Sequence, residues 1–143
     1  MAGPNTEPIY SKSPDVQWIT GVVTANNTID ITTGTSYLVF TADATNGGYV
    51  REVRCKPSPS QNTAATVLRI WVNNGSATGT KANSVLFDEL GIPATTTSAT
   101  QPQPTFVMSM NVALPAGYKL YATVGTAPGG SGELNVAAVA GKY

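Results

Sequence analysis

The chain has 143 residues, with eight basic and eight acidic side chains, no histidine and a single cysteine. Its charged fraction of 11% is under half the ~25% of a typical soluble protein, and its formal net charge is zero. That balance excludes nucleic acid and an anionic membrane surface as main partners, because both demand clustered cations, and the missing histidine rules out a Ser–His or Cys–His catalytic pair.

A domain of this length buries roughly 70% of its unfolded surface, enough for a core without disulfides. A neutral, weakly charged surface favours association over life as a free monomer. The N-terminal stretch is polar and lacks the apolar h-region of a secretory signal. No window approaches the ~18 apolar residues of a membrane span. Synthesis in a cytoplasm is the expectation.

Residues 1–15 read as an extended arm ahead of one domain spanning 16–143. Pro4, Pro8 and Pro14 forbid regular helix and favour extended chain. Pro8, Ile9 and Tyr10 form the arm's anchor, expected to lie on the arm's own domain or on a neighbour.

From Val16 the pattern is strand, turn, strand. Residues 16–24 are β-branched and aromatic. Residues 28–32 set Ile29 and Ile31 against polar neighbours, which predicts a short strand. Residues 35–42 carry Tyr37, Val39 and Phe40. Gly47-Gly48 turns the chain into a strand over 49–56. Pro57 to Ser60 is a loop. Over 65–73, Leu68, Ile70 and Val72 alternate with Val67, Arg69 and Trp71. Residues 85–90 fit a strand or one helical turn. Residues 91–104 form a Thr/Pro/Gln-rich loop of a length uncommon unless functional or anchored. Phe106, Met108, Met110, Val112 and Leu114 then give the cleanest alternation of the chain. Two further strands are predicted over 118–124 and 133–139, with turns at Ala116-Gly117 and Pro128-Gly129. No segment carries a sustained helical stripe. The expected fold is therefore all-β: an antiparallel β-sandwich of about eight strands, jelly-roll-like. An immunoglobulin-like topology is the alternative, but its Cys…Trp…Cys spacing is missing.

Reactive chemistry is sparse. The eight carboxylates are scattered, and Asp88-Glu89, adjacent on a strand, point to opposite faces. No phosphate loop, dinucleotide fingerprint or metal-ligand spacing is present. Asp43-Ala44-Thr45-Asn46 reads as a polar turn rather than a calcium loop. The sequons at Asn26 and Asn74 read as turns. Cys55 reads as a small buried hydrophobe. Catalytic, cofactor and metal residues are thus not assigned, and no enzyme is expected. Among the aromatics, Trp71 is the candidate for exposure, because it shares a strand face with Arg69. Interfaces favour Trp, Tyr and Arg, so both are assigned as partner contacts. A saccharide platform of exposed rings is the competing use.

The stretch Leu114-Pro115-Ala116-Gly117-Tyr118-Lys119-Leu120-Tyr121-Ala122-Thr123-Val124-Gly125-Thr126-Ala127 resembles a segment of small virion proteins of tailed bacteriophages. In those a P-A-G-x-x-L-Y-A-T-V-G strand precedes a Gly-rich turn and a last strand near an aromatic C-terminus. Here Gly132 to Ala140 and Tyr143 fill those places. The Arg/Glu strand at 49–56 and the Leu68–Val72 strand before Asn73-Asn74-Gly75 fit upstream. The resemblance covers about the last two thirds of the chain. It implies a structural virion component, often a jelly roll, commonly an oligomer that decorates or cements a capsid. The expected partners are copies of the chain itself, as a trimer, and the major capsid protein, with assembly in the host cytoplasm. A tail, baseplate or head-fibre component and a carbohydrate-binding module on the virion surface are the alternatives.

Overall fold

The computed structural model describes residues 11–129 and 132–143. The expected arm contacts Pro8, Ile9 and Tyr10 lie outside the described residues.

The apolar/polar alternation of the sequence becomes eight strands among the described residues: β1 (Ser13–Val22), β2 (Tyr37–Thr41), β3 (Gly48–Pro57), β4 (Thr66–Asn73), β5 (Ser84–Ile92), β6 (Phe106–Leu114), β7 (Lys119–Val124) and β8 (Leu134–Lys142). β1 reaches back to Ser13, into the stretch expected as arm, where Ser13 pairs with Lys142. A single 3-10 turn, Lys81–Asn83, precedes β5. The segment at 85–90 is thus strand rather than helical turn.

The strands form two four-stranded antiparallel sheets, ordered β1-β8-β3-β6 and β2-β7-β4-β5. Each strand pairs with its counterpart from the other end of the chain: β1 with β8, β2 with β7, β3 with β6, β4 with β5. The chain is therefore one long hairpin, with its tip at β4–β5, wound into a sandwich. The pairings β3–β8 and β4–β7 complete the two sheets. This winding is the jelly roll.

One face of each strand supplies the core. Val53 and Cys55 of β3, Leu68 and Ile70 of β4, Leu120, Ala122 and Val124 of β7, and Leu134, Val136 and Ala138 of β8 are all at most 1% exposed. Bulges adjust the alternation where the sandwich closes. In β2 the register slips between Leu38 and Phe40, so the neighbours Val39 and Phe40 are both buried. In β1 the slip between Ile19 and Val22 contains Gly21 at φ 71, which suits a residue without Cβ. Edge strand β1 is also tied across the sandwich to β2. Gln17 Nε2 donates to Thr41 O, and Thr41 N donates to Gln17 Oε1, both at 2.9 Å.

The strand expected at 28–32 is not formed. Residues 23–36 fold instead around the side chain of Asn26, which is 1% exposed. Its Nδ2 donates to the carbonyls of Asp30 (2.9 Å) and Thr33 (3.0 Å), and its Oδ1 accepts from Thr28 Oγ1 (2.8 Å). Asp30 in turn accepts from Thr32 N. These side-chain bonds satisfy the backbone locally and remove the need for a strand partner. Ile31 is buried, while Ile29 points outward.

The long loop after β5 is anchored. Thr63 and Thr95 exchange backbone bonds of 3.0 and 2.9 Å, and their hydroxyls lie 2.6 Å apart. Asn62 Oδ1 accepts from Thr97 N, and Gln103 Nε2 donates to Thr96 O.

Candidate functional site

Reactive groups are dispersed or occupied by the fold. Cys55 is fully buried in the core, and the loss of hydration pushes its thiol up to about 12. A thiol so placed is neutral and unreactive. Asp43 closes the turn between β2 and β3: its Oδ1 accepts from Thr45 N and Asn46 N, each 2.9 Å away. Those donors hold its carboxyl below the usual carboxylate range. Asp30 is lowered likewise by the Thr32 N–H and hydroxyl. Among the described residues no group of three or more His, Cys, Asp or Glu side chains could hold a metal ion. No helix among them is long and apolar enough to cross a membrane.

Arg69 and Trp71 do share the outward face of β4, but the expected exposure is corrected. Arg69 is 9% exposed and Trp71 8%. The segment between β1 and β2 folds back over this face: Asn26 N donates to Val124 O at 2.7 Å, and Ile31 lines the same cleft as Trp71. Trp71 Nε1 donates to Thr123 Oγ1 (3.0 Å), and Arg69 Nε donates to Glu89 Oε1 (2.6 Å). Arg69 Nη1 is buried without a partner beside Gly125. Both side chains are therefore internal fittings of the outer layer, not free contact residues of the protomer.

The stretch 114–127 is likewise taken up by the fold. Leu120, Ala122 and Val124 enter the core. Thr123 receives the indole N–H of Trp71. Gly117 adopts φ 75 in the turn, and its N–H donates to Asp43 O. A Cβ on Gly125 would meet Arg69 Nη1 at 2.9 Å.

Among the described residues, neighbouring exposed apolar side chains occur elsewhere in two places, on β5 and on the other sheet. The first is the edge strand β5. Val85, Leu86 and Phe87 are 59%, 37% and 43% exposed, one after another. Among the described residues β5 pairs only with β4, so one side of its backbone has no strand partner there. Long edge strands are normally blunted by lysine, proline or brevity. β5 has nine residues and neither lysine nor proline; a bulge near Phe87 and the charges of Asp88 and Glu89 protect its second half, which leaves the apolar run Val85 to Phe87 as the open part. A run of three apolar residues in a strand cannot all face one core, so the sequence did carry this signal.

The second place is the outward face of the β1-β8-β3-β6 sheet. The registers set Trp18, Ala137, Arg54 and Val107 in one row across it. Trp18 is 67% exposed and Val107 44%. Arg51, Glu52, Arg54 and Lys56 occupy β3 beside them, and Glu52 receives both Arg51 and Arg54. Arg54 chiefly holds the Glu52 carboxyl below its usual range. Sequence reasoning ranked Trp71 above Trp18 for exposure, because β1 carries apolar residues at both parities and only the pairing with β8 decides which face is outward.

No protein-family model matches the sequence, and no curated protein matches it.

Proposed function

We propose that the chain is a non-catalytic structural component of a bacteriophage virion. It decorates or cements the capsid shell as a homo-oligomer, a trimer, by bridging neighbouring capsid subunits. The observation that supports this reading best is the β5 edge, a long strand with one backbone side lacking a strand partner among the described residues and three exposed apolar side chains. Such an edge offers main-chain pairing, with apolar anchoring at Val85 to Phe87 ahead of the acidic pair Asp88-Glu89. The net-zero, weakly charged composition suits the same use. The phage assignment rests on the resemblance of residues 114–127, and the shell position on the habit of that group of proteins.

The test is a Phe87→Asp variant. Phe87 is exposed, so folding stability is expected to stay within about 0.5 kcal/mol of the parent. Light-scattering mass and co-sedimentation with mature capsid shells are then compared. The expected result is an oligomer that binds shells for the parent, and loss of both for the variant. A variant that keeps its mass and its shell binding contradicts the role of β5.

A further inference from the structure

The outward face of the β1-β8-β3-β6 sheet carries a cleft of ≈ 400 Å³, with Trp18 at one wall and Arg54, Lys56, Thr105 and Asn135 around it. Three features separate it from an incidental dent. Trp18 stands opposite the small side chain of Ala137 in the pairing of β1 with β8. Its 67% exposure is the largest among the exposed large hydrophobics of the described residues. Polar groups of both kinds converge on the cleft: the Lys56 ammonium, bonded only weakly to Thr105 Oγ1 at 3.4 Å, and Asn135 Oδ1, a sheltered acceptor with no donor. An apolar wall with a few converging polar groups, at this volume, has the anatomy of a small-molecule site.

Charge narrows the ligand. Arg51, Arg54 and Lys56 lie on β3 with Glu52, which Arg51 and Arg54 already share, while a second carboxylate, Glu133, reaches toward Gly21 of β1, so the cations are in excess. This face is therefore locally cationic on a chain of net charge zero. A protein surface sealing it would have to take the surplus cations out of water, which their lost hydration opposes. A saccharide does not, since it lies across the indole and leaves the cations half in solvent. A sugar ring offers an apolar C–H face to the indole and hydroxyls to Asn135 and Thr105. An acidic substituent would complete the match with Arg54 and Lys56.

We propose that the Trp18 cleft binds an acidic saccharide, the indole stacking on a sugar ring while Arg54 and Lys56 receive its carboxylate or phosphate. The site lies on β1, β3 and β8, on the sheet opposite β5, so it stands independently of the β5 contact.

The test uses the full chain and three probes in titration calorimetry: oligogalacturonate, a phosphorylated oligosaccharide, and a neutral oligogalactose of the same length. Binding of at least one acidic probe, weaker in salt and stronger than the neutral one, is expected. Comparison of the two acidic probes tells carboxylate from phosphate recognition. Trp18→Ala should weaken binding by ~10-fold or more. Arg54→Gln with Lys56→Gln should remove the preference for acid while retaining weak neutral binding. Phe87→Asp should leave saccharide binding unchanged, which keeps this result separate from the assembly test. Failure of every probe to bind overturns the proposal, as does binding that survives Trp18→Ala. A Trp18→Ala variant that changes the oligomeric mass, in a protein that binds no saccharide, assigns the face to protein contact and overturns it too.

Discussion

Ile29 concentrates the tension between stability and surface in one side chain. It is β-branched, holds φ 54 and is 59% exposed, at the junction of two clefts on the outer face of the β2-β7-β4-β5 sheet. The left-handed region crowds a Cβ and costs a branched residue ~1–2 kcal/mol, whereas asparagine tolerates it. Ile29→Asn is expected to raise stability by about 1 kcal/mol, read as a higher urea midpoint with an unchanged slope. A lower midpoint would mean that the Ile29 side chain earns its place by packing. Single residues were unevenly legible in the sequence. Cys55 was readable as core, because apolar alternation on its strand fixes its face. Trp71 was not, because its burial depends on a segment 35 to 48 positions earlier.

That segment, residues 23–36, is the element whose form the sequence hid. Ile29 and Ile31 alternate as a strand would, yet the bonds of the Asn26 amide hold the chain in a loop. A period of two over five residues is a weak signal when a buried amide can supply the backbone's partners. Asn26→Ala would leave the carbonyls of Asp30 and Thr33 without that donor. The expected cost is about 2 kcal/mol. Trp71 should become wetter, with red-shifted emission, while the strand ladders persist in hydrogen exchange. Unchanged emission would mean that the segment stays on the sheet without its central amide. The strands themselves were legible, since β3, β4, β6, β7 and β8 each carry apolar residues at alternate positions that reach the core, even where, as in β4, the other face is covered too. Their pairing was not, because nested partners such as β1 and β8 lie at opposite ends of the chain.

Over the whole molecule, the absence of histidine sets the pH response. Asp30, Asp43 and Glu52 have folded values below their usual ones, held there by the Thr32 N–H, the Asn46 N–H and Arg54 respectively. A lowered carboxyl contributes fully above its unfolded value near ~4, and the contribution disappears as pH falls through the folded one. Cys55 works the other way. Its folded value of about 12 lies above the unfolded value. Its contribution is intact below ~8.5 and is lost as pH rises toward the folded value. Stability should therefore be flat from about pH 5 to 8, declining on both sides. Urea midpoints across pH test this, and a step inside the plateau would contradict it.

Among the described residues the jelly roll leaves open the apolar run of the β5 edge and one cationic face, and the proposed capsid role assigns contact to that edge. The most direct measurement is a cryo-electron microscopy map of intact particles carrying this chain. The account predicts density for it at junctions between capsid subunits, in symmetric oligomers, with Val85, Leu86 and Phe87 of β5 against a neighbour. Density confined to the tail would contradict it.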